Sequence, residues 1–120
     1  MGEVLAALRA LRVPLSMDEF ELQARVAAAL AEAGVDFAKE ARLAPRCRAD
    51  FLCRGGVLVE VKRGLVRRPQ LLRQLARYAA LPEVASLIVV TERTVDLPRR
   101  VGGKECAVVA LNRLWGVAIG

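Results

Sequence analysis

The sequence predicts an α/β domain in which a central mixed sheet is flanked by helices, in the order helix, three strands, helix, strand. Val57, Val59 and Val61 fall on one face of a strand over residues 57–62, because side chains alternate with period two. Residues 87–91 form a continuous apolar run, which is typical of a strand buried on both faces. A helical segment lies between these two strands, so they are expected to be parallel and joined by a right-handed crossover.

Two helices are predicted before the first strand. Residues 1–15 form a lead helix that ends before Pro14, since the residue before a proline disfavours helical geometry. Ser16 suits the N-cap of a longer helix over residues 17–33. That helix is expected to stop at Gly34, because glycine readily adopts the conformation that follows a helix.

Glu19 has two interpretations within the second helix. Helical spacing places it on the same stripe as Leu22 and Val26, which points it toward the core. The segment from Ser16 to Glu19 also matches a capping box, in which the glutamate reaches back to the backbone N–H of the serine. A structural cap and a role in a site both stay open.

The three strands are predicted over residues 35–43, 49–53 and 57–62. Pro45 ends the first, and residues 46–48 form a basic connection. Glu40, on the first strand, faces either the site or solvent, and solvent is the expected side for a lone strand carboxylate. A three-residue loop at 54–56 pairs apolar with apolar positions in the following hairpin, and it places Asp50 opposite Glu60.

Two carboxylates directly across a strand pair begin about 5 Å apart. They repel each other unless a cation lies between them or one is protonated. The pair of Asp50 and Glu60 therefore suggests a cation site. The alternative is a solvent-facing pair whose repulsion is relieved by Lys62 and water.

The second half of the chain continues the pattern. Pro69 suits the first turn of a helix over residues 69–81, in which Gln74 and Tyr78 lie one turn apart beside the apolar stripe. By themselves, such residues are ordinary edge positions. The remainder comprises the strand at 87–91, a loop at 92–105, a closing strand at 106–111, and a tail with Trp115 that forms a short helix or an edge strand.

These elements predict one domain over residues 1–120, with a lead helix, a core and a closing part at 1–15, 16–91 and 92–120. No apolar run approaches the roughly 20 residues that span a bilayer. The three cysteines contain no CxxC pair, which favours free thiols in a reducing compartment. We therefore expect a cytoplasmic protein, and its Arg- and Ala-rich composition is typical of a prokaryotic or viral source with GC-rich DNA.

Composition also restricts the chemistry. The chain has no histidine, which excludes Ser-His and Cys-His catalysis, zinc deaminases and histidine-based nuclease mechanisms. Carboxylate, lysine and hard-metal chemistry remain. The net charge of +6 suggests an anionic partner. A cluster of cations follows the central strand and consists of Lys62, Arg63, Arg67, Arg68, Arg73 and Arg77. Such a cluster is either a solvated surface or a surface that binds phosphates. The carboxylates beside it favour the second interpretation.

Four features in this order resemble the PD-(D/E)xK nuclease superfamily, which has the restriction-endonuclease-like αβββαβ fold. They are Glu19, Asp50, the triplet Glu60-Val61-Lys62 and the motif Gln74-x-x-x-Tyr78. The resemblance covers residues 16–91. The segment Glu19-Phe-Glu-Leu is similar to the opening of archaeal Holliday-junction resolvases, and Gln74 to Tyr78 resembles a motif of the RecB-type exonuclease branch.

The resemblance implies a metal-dependent nuclease acting on DNA. Asp50 and Glu60 would hold Mg²⁺ or Mn²⁺, with the backbone carbonyl of Val61 as a further ligand. Hard cations prefer such oxygen ligands. Lys62 would orient or deprotonate the attacking water and offset charge on the phosphate. Glu19 would complete the metal shell or a second metal site. Gln74 and Tyr78 would position the DNA strand or the lysine.

The charge cluster beside the carboxylates, and not the resemblance, predicts that the arginines after the central strand bind the DNA backbone: Arg63, Arg67, Arg68, Arg73 and Arg77. Many such nucleases act as dimers that cut both strands, so a homodimer is one arrangement that the resemblance allows. Two alternatives stay open. The first is a non-catalytic nucleic-acid-binding or assembly protein that retains the fold. The second is a metal-free globular domain whose charges are structural.

Overall fold

A computed structural model describes residues 1–13 and 17–112 of the chain. Those residues form a mixed α/β fold with three helices and a six-stranded sheet. In chain order the elements are α1 (Gly2–Arg9), α2 (Glu19–Glu32), β1 (Phe37–Ala44), β2 (Cys47–Cys53), β3 (Val57–Lys62), α3 (Arg68–Ala79), β4 (Ser86–Thr91), β5 (Arg100–Val101) and β6 (Lys104–Ala110). The predicted order of helix, three strands, helix and strand is present from α2 to β4.

The sheet is mixed, as the sequence predicts. Its strand order is β1-β2-β3-β4-β6-β5. β3 pairs in parallel with β4, and β4 with β6, whereas the other neighbours are antiparallel. All six residues of β4 are buried, which confirms the prediction of a strand covered on both faces.

Helices cover both faces of the sheet. α1 and α2 pack on one face, where they bury Leu8, Leu22 and Leu30 against Phe51 and Val59. α3 packs on the other face in a second cluster, whose members include Leu58, Leu71, Leu75, Leu87 and Val89. Since Leu58 belongs to this second cluster, the alternating residues Glu60 and Lys62 of β3 also face α3.

Both N-terminal helices are shorter than predicted. α1 ends at Arg9, although Leu11 and Val13 beyond it stay buried in the core. α2 begins at Glu19, because Asp18 caps it by accepting a hydrogen bond from the backbone N–H of Glu21 at 2.8 Å. The predicted cap, Ser16, lies outside the described residues.

The end of α2 agrees with the prediction at Gly34. This glycine has φ +74°, and the N–H of Val35 donates to the carbonyl of Leu30 at 2.9 Å. The N–H of Gly34 donates to the carbonyl of Ala31 at 3.0 Å. Together these bonds form the Schellman arrangement that ends many helices.

The strands at the sheet edges differ most from expectation. β1 and β2 extend to the two-residue turn Pro45-Arg46, so the basic connection expected at 46–48 is mostly strand. β5 lies within the segment predicted as a loop, and it pairs with β6 across the turn at 102–103. The tail around Trp115 lies outside the described residues. In the described part of the chain, no helix combines the length and the apolar character needed to cross a membrane.

Candidate functional site

The β2–β3 hairpin brings Asp50 and Glu60 together. Its register pairs Phe51 with Val59 and Cys53 with Val57, as predicted from a three-residue loop. Beyond Phe51 the backbone pairing of the two strands stops, and the two carboxylates accept backbone hydrogen bonds instead. The N–H of Val61 donates to Asp50 Oδ2 at 2.8 Å, and the N–H of Asp50 donates to Glu60 Oε1 at 2.9 Å. Both side chains are therefore held at the point where the two strands stop pairing.

α3 supplies two polar groups to Glu60. The Tyr78 hydroxyl lies 3.2 Å from Glu60 Oε1, and Gln74 Nε2 lies 3.4 Å from Oε2. Gln74 Nε2 also donates to the Tyr78 hydroxyl at 3.1 Å. That hydroxyl lies 2.9 Å from the carbonyl of Arg48 as well, so its single proton serves either this carbonyl or the carboxylate. Gln74 and Tyr78 are thus neighbours of the carboxylates rather than residues of a solvent edge.

Lys62 places a cation at the same point. Its Nζ lies 3.6 Å from Glu60 Oε2, and 32% of its side-chain surface is exposed, against 3% for Glu60. The ammonium therefore contacts the buried carboxylate and solvent together. A group in this position can exchange its contact with the carboxylate for one with an incoming anion.

The carboxylates lie in an electrostatically unfavourable setting. Burial raises the pKa of Asp50, and the charges of Glu19 and Glu40 raise it further, against the lowering effect of the Val61 N–H and of Lys62. Burial and the charge of Asp50 raise the pKa of Glu60 to about 7. The protein groups around the pair thus do not fully compensate its charge.

Tyr78 remains a hydrogen-bond donor in this setting. Burial and the charge of Glu60 raise the pKa of its phenol above the ordinary value. The phenol therefore stays protonated at neutral pH, which allows it to donate to the carboxylate.

Glu19 and Glu40 lie at the margin of the site. Both are exposed, which agrees with the expectation for Glu40 and corrects the core-facing expectation for Glu19. Glu19 is the first residue of α2, and burial along that helix begins one turn later, at Leu22. Each is near enough for its charge to act on Asp50. Glu40 has φ +51°, a conformation that is uncommon for glutamate and interrupts the pairing of β1 with β2 opposite Asp50.

The described residues offer few side chains at this point that could bind a metal ion. Within residues 1–13 and 17–112, no group of three or more His, Cys, Asp or Glu side chains is arranged to hold a metal ion. Asp50 and Glu60 are two such side chains, so an ion at this point would need further oxygen ligands from the backbone or from water. The N–H of Val61 points toward β2. The carbonyl of the same residue points to the same neighbouring strand.

A basic cleft of about 500 Å³ adjoins the site. Its charged and polar lining consists of Lys62, Arg63, Arg67, Gln70, Arg73, Gln74 and Arg77. Four of the five arginines predicted to bind nucleic acid therefore line this cleft. Arg68 does not, because its Nε donates to the carbonyl of Asp96 at 2.6 Å. No acidic side chain lines the cleft, so it presents a positive surface beside the carboxylates.

Sequence reasoning missed the contribution of the β1–β2 hairpin. Arg48 supplies a carbonyl to Tyr78, and Arg42, Arg46 and Arg48 line a second cleft beside the first. The basic segment 46–48 was visible in the sequence as a connection. Its link to Tyr78 spans 30 residues of the chain, and no local pattern indicates such a contact.

Comparison of the chain with protein-family models, with curated proteins and with solved structures finds no match. The function is therefore inferred from the geometry of this chain and from the chemistry of its side chains.

Proposed function

We propose that this protein is a metal-dependent nuclease that hydrolyses phosphodiester bonds in DNA, with the restriction-endonuclease-like core of the PD-(D/E)xK superfamily. The convergence of three groups carries the proposal. The Asp50 and Glu60 carboxylates meet at the end of the β2–β3 pairing, and Lys62 Nζ lies 3.6 Å from Glu60 Oε2. The element order from α2 to β4 agrees with that core.

The residues present fit a hard divalent cation. Mg²⁺ and Mn²⁺ prefer oxygen ligands, and Mg²⁺ usually keeps several waters while using one or two carboxylates. Asp50 and Glu60 would hold such an ion, with the Val61 carbonyl as a further ligand. The raised pKa values of both carboxyls support this assignment, because an added positive charge would stabilise their ionised forms. When bound, the ion would lower the pKa of water and neutralise charge on the phosphate.

The residues of the chain have separate tasks in this proposal. Lys62 orients the attacking water and offsets the charge that develops on the phosphate oxygens. Tyr78 and Gln74 hold the Glu60 carboxylate in place through hydrogen bonds. The arginines of the adjoining cleft bind the phosphates of the strand. The buried thiols do not compete as nucleophiles, because burial raises the pKa of Cys53 to about 11 and also raises that of Cys106.

One observation favours a second candidate, a non-catalytic DNA-binding protein that retains the fold. Both oxygens of Glu60 already have protein partners: the Asp50 N–H and Tyr78 at Oε1, and Gln74 and Lys62 at Oε2. A carboxylate engaged in this way can be a purely structural group. The basic cleft serves DNA binding under either candidate.

Cleavage of supercoiled plasmid DNA separates the two candidates. We expect Mg²⁺ or Mn²⁺ to support cutting by the wild-type protein, and EDTA to stop it. Lys62→Ala should reduce the rate by about 100-fold or more, because the group that orients water and offsets charge is lost. Lys39→Ala removes an exposed lysine on β1 and should leave the rate unchanged. DNA binding without cutting of any plasmid in either metal would favour the non-catalytic candidate.

A further inference from the structure

A second basic cleft, of about 640 Å³, adjoins the first and shares Gln74 and Arg77 with it. We call it the hairpin cleft, because most of its lining comes from the β1–β2 hairpin: Arg42, Pro45, Arg46, Cys47 and Arg48, together with Gln74, Arg77 and Tyr78 of α3. Its lining contains four arginines and no acid. Like the first cleft, whose lining contains five cations, it is therefore positive.

The hairpin places like charges against each other. Arg42 pairs directly with Arg48 across the strands, and Arg46 occupies the turn with φ +64°. Like charges directly opposite in a sheet are destabilising. All three arginines are exposed, and no carboxylate forms an ion pair with them in the described part of the chain. An anion bound between them would relieve the repulsion.

The two clefts meet at the proposed site. Gln74 and Arg77 line both of them. Lys62 lines the first, and Tyr78 lines the hairpin cleft. Since Lys62, Gln74 and Tyr78 all contact Glu60, the carboxylates lie at the junction between the two positive surfaces.

We infer that the hairpin cleft binds the DNA backbone beyond the scissile phosphate, so that the strand crosses the site from one cleft to the other and is cut internally. This inference rests on the proposed function and deepens it from nuclease to endonuclease. In the cut, the oxygen of water bonds to phosphorus and the bond from phosphorus to one sugar oxygen breaks. That oxygen takes a proton, so one new end carries a hydroxyl and the other a phosphate.

Binding of labelled duplex DNA in EDTA tests the hairpin cleft apart from cleavage. The test variant replaces Arg42, Arg46 and Arg48 with alanine. A charge-matched control replaces three exposed arginines outside both clefts, Arg9, Arg25 and Arg54. We expect the test variant to weaken binding at least tenfold and to reduce the slope of log K against log salt by about 2 to 3, since each phosphate contact contributes about 0.9. The control should bind like the wild type.

Cleavage of covalently closed circular DNA tests the internal cut. The wild type and the control should cut circles with Mn²⁺ or Mg²⁺, and the test variant should cut them at least tenfold more slowly. Thermal melting checks that the variants fold. A second triple variant, with glutamine in place of Arg42, Arg46 and Arg48, repeats both measurements with a different side chain.

The outcomes separate the inference from the proposed function. Degradation of linear DNA only, stepwise from its ends, would overturn the inference and leave the nuclease proposal standing. Equal binding by the test variant and the control would overturn the role of the hairpin. If the wild type cuts no DNA, the proposed function fails and the internal cut fails with it, while the binding comparison still decides whether the hairpin binds DNA.

Discussion

Glu60 is a carboxylate placed where ionisation is unfavourable. It faces Asp50 from β2, Lys62 from its own strand, and Gln74 and Tyr78 from α3. Burial outweighs the hydrogen bonds and the lysine, and the pKa of Glu60 rises from 4.5 to about 7. Protein folding therefore favours the protonated form of this group, whereas a bound cation would favour the ionised form.

This setting predicts how stability depends on pH. Between about pH 4.5 and 7 the native protein holds the Glu60 proton more tightly than the unfolded chain does. Unfolding then releases a proton, so in EDTA the free energy of unfolding should fall as pH rises through this window and level off above it. Glu60→Gln should remove that fall and stabilise the protein at about pH 8 by on the order of 3 kcal/mol. Chemical denaturation at a series of pH values measures the effect.

The matched control for this prediction is Glu105→Gln, which neutralises an exposed carboxylate on β6. It should keep the dependence on pH found in the wild type. An unfolding free energy of the wild type that stays constant from pH 5 to pH 8 would contradict the account of Glu60.

At the scale of elements, the β2–β3 hairpin determines where the carboxylates meet. Its loop packs on the segment that leads into β4, where the N–H of Ala85 donates to the Gly56 carbonyl at 2.7 Å. A Cβ at Gly56 would lie 2.5 Å from the carbonyl oxygen of Glu83. Only glycine therefore allows this approach, which helps to hold the hairpin in the register that places Asp50 beside Glu60.

Alanine substitutions in this loop test the close approach. Gly55 and Gly56 both have positive φ, but a Cβ at Gly55 would meet no atom within 4 Å. Gly55→Ala should lower the free energy of unfolding by about 1 kcal/mol, through backbone strain alone. Gly56→Ala should lower it by about 2 kcal/mol more, because backbone atoms must also move. Urea unfolding of the two variants measures the difference. Equal costs would show that the loop does not depend on this contact.

At the scale of the whole molecule, charge is distributed unevenly. The net charge is +6, and the two clefts beside α3 gather eight cations with no acid in their lining. Asp50 and Glu60, whose charge the protein compensates only in part, lie where these clefts meet. A positive surface attracts a polyanion. In the proposed function, the two acids between the clefts would hold a divalent cation against the scissile phosphate.

A bound cation should also stabilise the folded protein. A ligand that binds only the native state at 100 times its dissociation constant adds about 2.7 kcal/mol. We therefore expect millimolar Mg²⁺ or Mn²⁺ to raise the melting temperature by several degrees over that in EDTA. Asp50→Asn should abolish the shift, and Asp36→Asn, at an exposed position, should keep it. No shift in the wild type would indicate that the carboxylate pair does not bind metal and would favour the non-catalytic candidate.

Much of the fold follows from the sequence because local patterns carry it. The alternation of residues 57–62, the apolar run at 87–91 and the proline at the start of α3 each predict an element that is present. The hairpin register from Phe51 to Cys53 was also predictable, since a three-residue loop pairs apolar with apolar residues. The predicted backbone pairing of Asp50 with Glu60 is replaced by hydrogen bonds to their carboxylates. The short strand β5 was missed, because a two-residue strand has no period to detect.

By itself, the sequence determined the strand faces, the hairpin register and the exclusion of histidine-based chemistry, because alternation and composition can be read without the fold. The tertiary structure alone decided that Gln74 and Tyr78 contact Glu60, that Glu19 is exposed, and that the arginines of the β1–β2 hairpin face the same site as those after β3. These contacts join residues up to 30 positions apart, as between Tyr78 and Arg48. Only the packing of α3 on the sheet brings such residues together, and no local pattern records it.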